Sequence, residues 1–274
     1  MTALHQFLRD NATGDLLAWP AQAAAAEQFK LSYGVVERAA LGIGLLPARY
    51  QRNRRTISVQ QQARLFAGRV AVVGCGGLGG YVIEQLARLG VGMLIAIDPD
   101  VFEEHNLNRQ LLSSRAAVGR AKVAVAAERV AAINPAVTFD PCREAFAPET
   151  GARLLHGAEV VVDALDSIPT RLALCDACAE LGVPLVHGAI AGWYGQVTTE
   201  FPGDGTLKRL YARSNTGKGE EQTLGNPSFT PAVVASIETA EVCKLLLGVG
   251  TPLRHRAMVA NLLDMSFEEI PFDA

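Results

Sequence analysis

The sequence predicts an α/β fold: a doubly wound, mainly parallel sheet with antiparallel C-terminal strands, preceded by an N-terminal helical extension. Three observations carry that prediction. Short apolar runs rich in Val and Ile alternate with helix-length segments from Arg69 onward. The first run opens directly into the glycine-rich turn Gly74-Cys75-Gly76-Gly77-Leu78-Gly79. Past Gly188 the pattern changes, and Gln196 to Phe201 alternates with the two-residue period of an antiparallel strand.

Composition is compatible with one large core. The chain has 274 residues, of which 49% are hydrophobic and 19% charged, the balance of a globular enzyme rather than a disordered chain. A net charge of −3 gives no general attraction for nucleic acid or an anionic membrane, so phosphate binding must come from a local site. Met1 to Asp10 lacks a basic flank followed by an apolar run, and apolar stretches are broken well before the roughly 20 residues of a membrane span. Five cysteines show no framework spacing, as expected in a reducing compartment. The expectation is a cytoplasmic protein.

Taken in order, residues 1–48 read as two or three helices, with Leu16, Leu17 and Trp19 ending one apolar patch and Phe29, Val35, Val36 and Leu41 recurring near helical spacing. Gly42 to Pro47 breaks the pattern, and we set a boundary there between the extension (1–48) and the main domain (49–274). Arg49-Tyr50-Gln51-Arg52-Asn53-Arg54-Arg55 leads into a polar helix from Ser58 to Ala67. Val70 to Val73, the glycine turn, a helix over Tyr81 to Leu89 and a strand over Met93 to Ile97 form one βαβ unit. A helix over Lys122 to Ile133 stops at Asn134-Pro135. Strands follow at Val137 to Phe139 and Val160 to Val162, then a helix over Arg171 to Leu181 and a strand over Pro184 to Val186. Residues 203–228, rich in Gly, Asn, Thr and charge, read as a mobile loop. Ala232 to Leu247 is a strong helix, and Met258 to Leu263 and Phe267 to Ile270 are candidate edge strands.

The glycine turn carries the first functional inference. Gly74 permits the tight exit from the strand, Gly76 lets backbone amides of Gly77 and Leu78 approach a phosphate, and Gly79 allows close helix–sheet packing. The next helix points its free N–H groups at the anion. Asp98, nineteen residues after Gly79 at the end of the next strand, stands where an acid accepts hydrogen bonds from ribose hydroxyls. The pattern reads as Rossmann-like and implies a nucleotide, without saying which one.

Residues beyond Asp98 favour a triphosphate. The polar loop from Pro99 to Gln110 ends on Arg109, Lys122 starts a helix, and Arg52, Arg54 and Arg55 lie upstream. Several cations suit dense phosphate charge and in-line displacement. Asp166 follows a strand, where a carboxylate can hold Mg²⁺ against phosphates. Singly, Arg109 reads as a surface ion pair, Lys122 as a solvated helix residue and Asp166 as a helix cap. Their joint placement at strand ends gives them weight.

Those segments, with Asn106-Leu107-Asn108-Arg109-Gln110, Val118-Gly119-Arg120-Ala121-Lys122 and Asp163-Ala164-Leu165-Asp166 in this order, make the sequence resemble the ThiF/MoeB/HesA family, bacterial relatives of ubiquitin-activating enzymes. The resemblance covers about residues 49–250. It implies that Asp98 binds ribose, that Asn106, Arg109 and Lys122 contact phosphates, and that Asp166 coordinates Mg²⁺. It also implies that Arg52 reaches into a neighbouring subunit's site, hence a homodimer. The implied activity is ATP-dependent adenylation of the C-terminal glycine of a ubiquitin-like or sulfur-carrier protein ending in Gly-Gly.

The chain departs from that family in its cysteines. Many relatives carry two Cys-x-x-Cys pairs for zinc. Here the only such spacing is Cys175-Asp176-Ala177-Cys178, inside an expected helix, so no zinc site is expected and these read as packed thiols. Many relatives form a thioester or persulfide on a cysteine before the late helix, and the stretch from Glu220 to Thr230 has none. Cys75 reads as a space-filling residue and Cys243 as a helix thiol. The expected chemistry is therefore adenylation without a covalent enzyme–carrier intermediate. Two alternatives stay open on the sequence: an NAD-dependent oxidoreductase, and a non-catalytic nucleotide-binding scaffold for a small partner protein.

Overall fold

The computed structural model describes residues 2–212 and 224–272. Its centre is an eight-stranded sheet. The first parallel strands are β3 (Arg69–Val73), β4 (Met93–Ile97), β5 (Thr138–Cys142), β6 (Val160–Asp163) and β7 (Leu185–Ala191). Antiparallel β8 (Tyr194–Glu200), β9 (Arg256–Asn261) and β10 (Ser266–Pro271) complete it, in the order β10-β9-β8-β7-β6-β3-β4-β5. Strands β3, β4 and β6 are near-continuous apolar runs because both faces are covered, whereas edge strand β5 is largely exposed.

Alternate residues of each strand serve opposite faces. Val70, Val72, Leu94, Ala96, Val160 and Val162 join one core with helices α4 (Val59–Ala67), α5 (Gly77–Leu89), α6 (Lys122–Ile133) and α10 (Phe229–Leu247). Ala71, Val73, Ile95, Ile97 and Val161 join a second core with α7 (Pro148–Leu154), α8 (Ile168–Leu181) and α9 (Thr206–Leu210). This is the doubly wound arrangement that the alternation predicts.

Residues 3–47 form α1 (Ala3–Asp10), α2 (Trp19–Phe29), α3 (Tyr33–Gly42) and two two-residue strands, β1 (Leu16–Leu17) and β2 (Leu46–Pro47). Leu8, Leu17, Val36 and Ala40 are a core of their own, whereas Val35 faces out at 46% exposure. Below it, Leu41, Leu46 and Tyr50 meet Phe66 of α4 and Ala136 of the turn between α6 and β5. Tyr50 Oη donates to Glu37 Oε1 at 2.7 Å and accepts from Asn134 Nδ2 at 2.8 Å, which ties α3 to the end of α6.

Several elements differ from expectation: the helix expected from Arg171 starts at Ile168, the strand expected to end at Val186 runs to Ala191, and the helix expected from Ala232 starts at Phe229. Helix α5 starts at Gly77, four residues earlier than Tyr81, because the glycine turn is itself the first helical turn. Strand β5 runs on to Cys142 through Pro141. It pairs only with β4, so the missing N–H faces an open edge. Helix α7 forms in a segment with few large apolar residues, which carries no apolar stripe. Helix α9 lies inside the stretch expected to be a loop, and residues 213–223 of that stretch fall outside the described residues.

Candidate active site

The site follows from topology. The chain winds from β3 out to β5, then crosses back to β6 on the other side of β3, so the carboxyl ends of β3, β4 and β6 flank a switch point where open α/β sheets bind ligands. There Gly74 N donates to Ile97 O at 2.8 Å and Ala164 N to Val73 O at 2.9 Å. A cavity of about 380 Å³ opens above them. It brings together Gly74, Gly76, Gly77, Leu78, Asp98, Arg109, Lys122 and Asp166.

Two glycines hold the turn for distinct reasons. Gly74 has φ +97°, and a Cβ there would sit 2.6 Å from Ala164 O. A Cβ on Gly79 would lie 1.8 Å from Gly74 O, so only glycine lets α5 close onto the strand exit. The first-turn amides of α5 are thereby left facing the cavity, where helix N–H groups lack intrahelical partners.

Asp98 is 5% exposed, and both its oxygens are engaged. Oδ2 accepts from Cys75 N at 2.7 Å and Oδ1 from Asp100 N at 2.8 Å. A carboxylate has about four acceptor positions, so Asp98 keeps capacity for a ribose hydroxyl while pinning the turn. Lys122 arrives because isolated bridges Val101–Ala121 and Phe102–Val118 lay its segment against the loop after β4. Its Nζ lies 2.9 Å from Asp100 Oδ2 and 3.9 Å from Asp98 Oδ2. Asp100 is mostly solvent-exposed, so an arriving phosphate can compete for this lysine.

Arg109 Nη1 donates to His105 O at 3.1 Å and Asn108 Oδ1 at 2.9 Å, which holds the guanidinium at the cavity rim. Asn106 does not line the cavity. It is buried, its Oδ1 accepts from Glu103 N at 2.9 Å, and its carbonyl accepts from Arg109 N and Gln110 N. In this geometry it shapes the turn that presents Arg109. Gly79 is likewise behind the wall. Arg52 is exposed in the turn after Tyr50 and is absent from the cavity lining.

Asp166 is exposed at the end of the β6 loop. The cap of α8 is Ser167, whose Oγ accepts from Thr170 N at 3.4 Å, so capping does not occupy Asp166. Below it, Asp163 Oδ1 accepts from Leu165 N at 3.0 Å, and Arg171 Nε donates to Leu165 O at 3.0 Å. These bonds fix the turn that carries Asp166. Asp163 Oδ2 also lies 2.7 Å from His187 Nδ1, Tyr211 Oη is 3.0 Å from His187 Nε2, and Arg171 Nη1 donates to Tyr211 Oη at 2.7 Å. Burial lowers the His187 pKa, against the opposing pull of Asp163, so the ring is neutral at pH 7.

Sequence reasoning did not single out Asp100, Gln110 or Arg171, all of which line the cavity. Asp100 sits two residues past Asp98, and Gln110 directly follows Arg109, so proximity was the available signal. Arg171 gave none, since one arginine in a helix looks like any solvated residue.

No cysteine is among the residues that line the cavity. Burial, with the Asp98 carboxylate nearby, pushes the Cys75 thiol well up. Cys175 and Cys178 pack inside α8, and burial raises Cys175 to about 12. Cys243 lies within α10, raised by burial to about 11. Among the described residues no cluster of three or more His, Cys, Asp or Glu is placed to hold a metal, and no helix is long and apolar enough to cross a membrane.

Fold and cavity together are those of a doubly wound α/β protein with a ligand site at its topological switch point. The ThiF family profile matches residues 50–274, and the chain belongs to that family. It is 39% identical over 219 residues to the SAMP-activating enzyme E1 of Haloferax volcanii, covering 79% of this chain and 81% of that protein. It is 35% identical over 222 residues to the sulfur carrier protein adenylyltransferase of Thermus thermophilus, covering 78% and 82%. Against the adenylyltransferase and sulfurtransferase MOCS3 of Sus scrofa, 36% identity spans 78% of this chain but 48% of that protein. Among solved structures, PaaA superposes with TM-score 0.70 at 22% identity, covering 82% of each chain, which speaks for the fold. The E. coli tRNA N6-threonylcarbamoyladenosine dehydratase TcdA in complex with ATP gives 0.63 at 25% identity over 73% of this chain and 94% of that one.

Proposed function

We propose that this chain is an ATP-dependent adenylyltransferase that activates the C-terminal glycine of a small ubiquitin-like or sulfur-carrier protein. The single observation that carries the reading is the convergence of Arg109, Lys122 and Asp166 with the first turn of α5 around one cavity. Such a set serves a triphosphate, and the relatives named as activating or adenylating enzymes agree with it. The pyrophosphate of NAD carries less charge than a triphosphate and calls for fewer cations than Arg109 and Lys122 supply beside the α5 amides. A scaffold has no use for phosphate machinery.

In the reaction, a carboxylate oxygen of the carrier attacks the α-phosphorus of ATP, the bond from that phosphorus to the bridging oxygen breaks, and pyrophosphate leaves. No protein nucleophile or proton transfer is required. The amides of Gly77 and Leu78, with Arg109 and Lys122, offset charge on the phosphates in the transition state. Mg²⁺ fits the donor set, because it characteristically takes one or two carboxylates with phosphate oxygens and waters, and Asp166 is an exposed, uncapped carboxylate on the cavity wall. When bound, it would neutralise phosphate charge. Asp98 serves the ribose while it pins the glycine turn.

Arg52 is exposed and does not line its own cavity, which suits a role across a homodimer interface. The separate core of α1 to α3 supports treating 1–48 as an extension on a domain of 49–274, and five unpaired cysteines suit a reducing, cytoplasmic compartment. With no cysteine between residues 220 and 230, the carrier leaves as an acyl-adenylate, and any sulfur comes from a separate donor. Carrier-dependent exchange of pyrophosphate into ATP tests the reading. Exchange by wild type that is lost in Arg109→Ala supports it, and exchange by that variant at the wild-type rate contradicts the assigned role.

A further inference from the structure

We infer that Tyr211 is a positioning residue for the Asp166 carboxylate, acting through Arg171, and that His187 and Asp163 aim its hydroxyl. This rests on the reading above in which Asp166 meets magnesium.

Leu165, directly before Asp166, is pinned on both sides. Its N–H donates to Asp163 Oδ1 at 3.0 Å, and its carbonyl accepts from Arg171 Nε at 3.0 Å and from Arg171 Nη2. Ser167, directly after, is the cap of α8. The exposed Asp166 side chain therefore stands on a turn fixed at both neighbours, and the buried Arg171 guanidinium is one of its clamps. On its far side that guanidinium donates from Nη1 to Tyr211 Oη at 2.7 Å. A planar fork held at Leu165 and at Tyr211 has its orientation set. Without the hydroxyl, only the Leu165 end holds among these contacts.

The direction of each bond behind Tyr211 follows from groups whose roles do not interchange. Arginine only donates and a carboxylate only accepts. Asp163 Oδ2, 2.7 Å from His187 Nδ1, therefore takes the Nδ1 proton. Burial lowers the His187 pKa, so the ring is neutral and Nε2 is an acceptor. Tyr211 Oη, 3.0 Å away, gives it the phenolic proton. Burial also raises the Tyr211 pKa, so that proton is retained. With its hydrogen aimed at His187, the oxygen turns its lone pairs to Arg171. Tyr211 is itself placed by α9, whose first turn is caught by Glu200: its two oxygens accept from Thr206 N at 3.2 Å and Leu207 N at 3.0 Å. Residues of β6, β7, α8 and the end of α9 thus meet around one hydroxyl. Such a buried polar chain is costly unless its members are paired, and it reaches the cavity at the turn that carries Asp166. Groups that orient a metal-binding side chain typically contribute about ten- to a hundredfold in metal affinity.

Tyr211→Phe tests this, since it keeps the ring that packs edge-on to His187 at 5.6 Å and removes the hydroxyl. Calorimetry gives ATP affinity with and without magnesium, and the ratio of the two is the readout; circular dichroism reports folding. The ratio is expected to fall about tenfold from wild type, while affinity without magnesium stays within about twofold. Arg171→Lys keeps the charge and loses the fork, so it is expected to lower the ratio likewise, and it decides the question if Tyr211→Phe does not fold. Thr199→Val controls for lost stability alone. It removes a buried hydroxyl that donates to Glu241 Oε2 at 2.7 Å, away from the cavity lining, and should leave the ratio at the wild-type value. A wild-type ratio in folded Tyr211→Phe or in Arg171→Lys overturns the inference, as does an equal fall in Thr199→Val. A wild type whose ATP affinity is the same with and without magnesium would instead overturn the magnesium reading of Asp166, and the inference with it.

Discussion

Asp98 Oδ2 accepts a hydrogen bond from Cys75 N at 2.7 Å, so the acid at the end of β4 closes the glycine turn at the end of β3. The shape of the turn thus rests on the residue proposed to hold the nucleotide's ribose. The pair separates two roles that sequence reasoning merges, and 3′-deoxy-ATP resolves them. If Asp98 also holds ribose, wild type binds 3′-deoxy-ATP or 2′-deoxy-ATP about 10-fold more weakly than ATP, and Asp98→Asn erases the difference. An Asp98→Asn variant that still discriminates shows the residue to be a loop fastener alone.

Arg109→Ala and Lys122→Ala are each expected to reduce carrier-dependent exchange by about 10²–10³-fold, the range for removing one preorganised charge donor from a transition state. Rapid-quench measurement of adenylate formation checks that the loss falls on the chemical step. A loss seen only in ATP KM would place the residue in ground-state binding.

Gly79→Ala should fail structurally. The added methyl meets Gly74 O at 1.8 Å, so α5 must retreat from the strand exit. We expect a loss of about 1–3 kcal/mol in urea unfolding, together with a fall in ATP affinity. An unchanged midpoint and affinity would mean that the turn has more room than its geometry indicates.

Glu238 is fully buried against Gly188, and burial, reinforced by Asp163 and opposed by Arg171, holds its pKa well above 4.5. The sign follows from linkage. A folded pKa above the unfolded one means that the neutral acid contributes its full stability below about pH 4.3, and that this contribution is lost as pH rises through the folded pKa. Glu238→Gln removes the titration. Its Tm should exceed wild type by at least about 2 °C at pH 8 and approach it at pH 4.5. An equal offset at both pH values would refute the linkage.

If Arg52 acts across a dimer, mixing Arg52→Ala with Lys122→Ala protomers restores about one quarter of wild-type exchange, because half the random dimers are mixed and each holds one complete site. No recovery on mixing and refolding would assign Arg52 a role within its own subunit, or none.

Much of this was legible because parallel strands covered on both faces must be apolar throughout. Val70 to Val73, Met93 to Ile97 and Val160 to Val162 announced themselves, and Asp98 and Asp166, just beyond the ends of the latter two, inherited a predictable position. Residues whose role depends on long-range pairing were not legible. Asn106 looked like a phosphate ligand, yet its geometry is that of a turn former. Asp163, His187, Tyr211 and Arg171 come together from four elements with no shared spacing. Helix α7 was missed because its first turn, Pro148-Glu149-Thr150, carries capping chemistry rather than an apolar stripe.

The central claim is chemical: the carrier is activated as an acyl-adenylate and is not captured by an enzyme cysteine. Intact-mass analysis of enzyme, ATP, magnesium and a ubiquitin-like protein ending in Gly-Gly from the same genome, with pyrophosphatase present, tests it directly. The account predicts a carrier heavier by one adenylyl group and an enzyme of unchanged mass, with no adduct that hydroxylamine releases from the enzyme. A thiol-linked enzyme–carrier species, or a carrier of unaltered mass under these conditions, would contradict it.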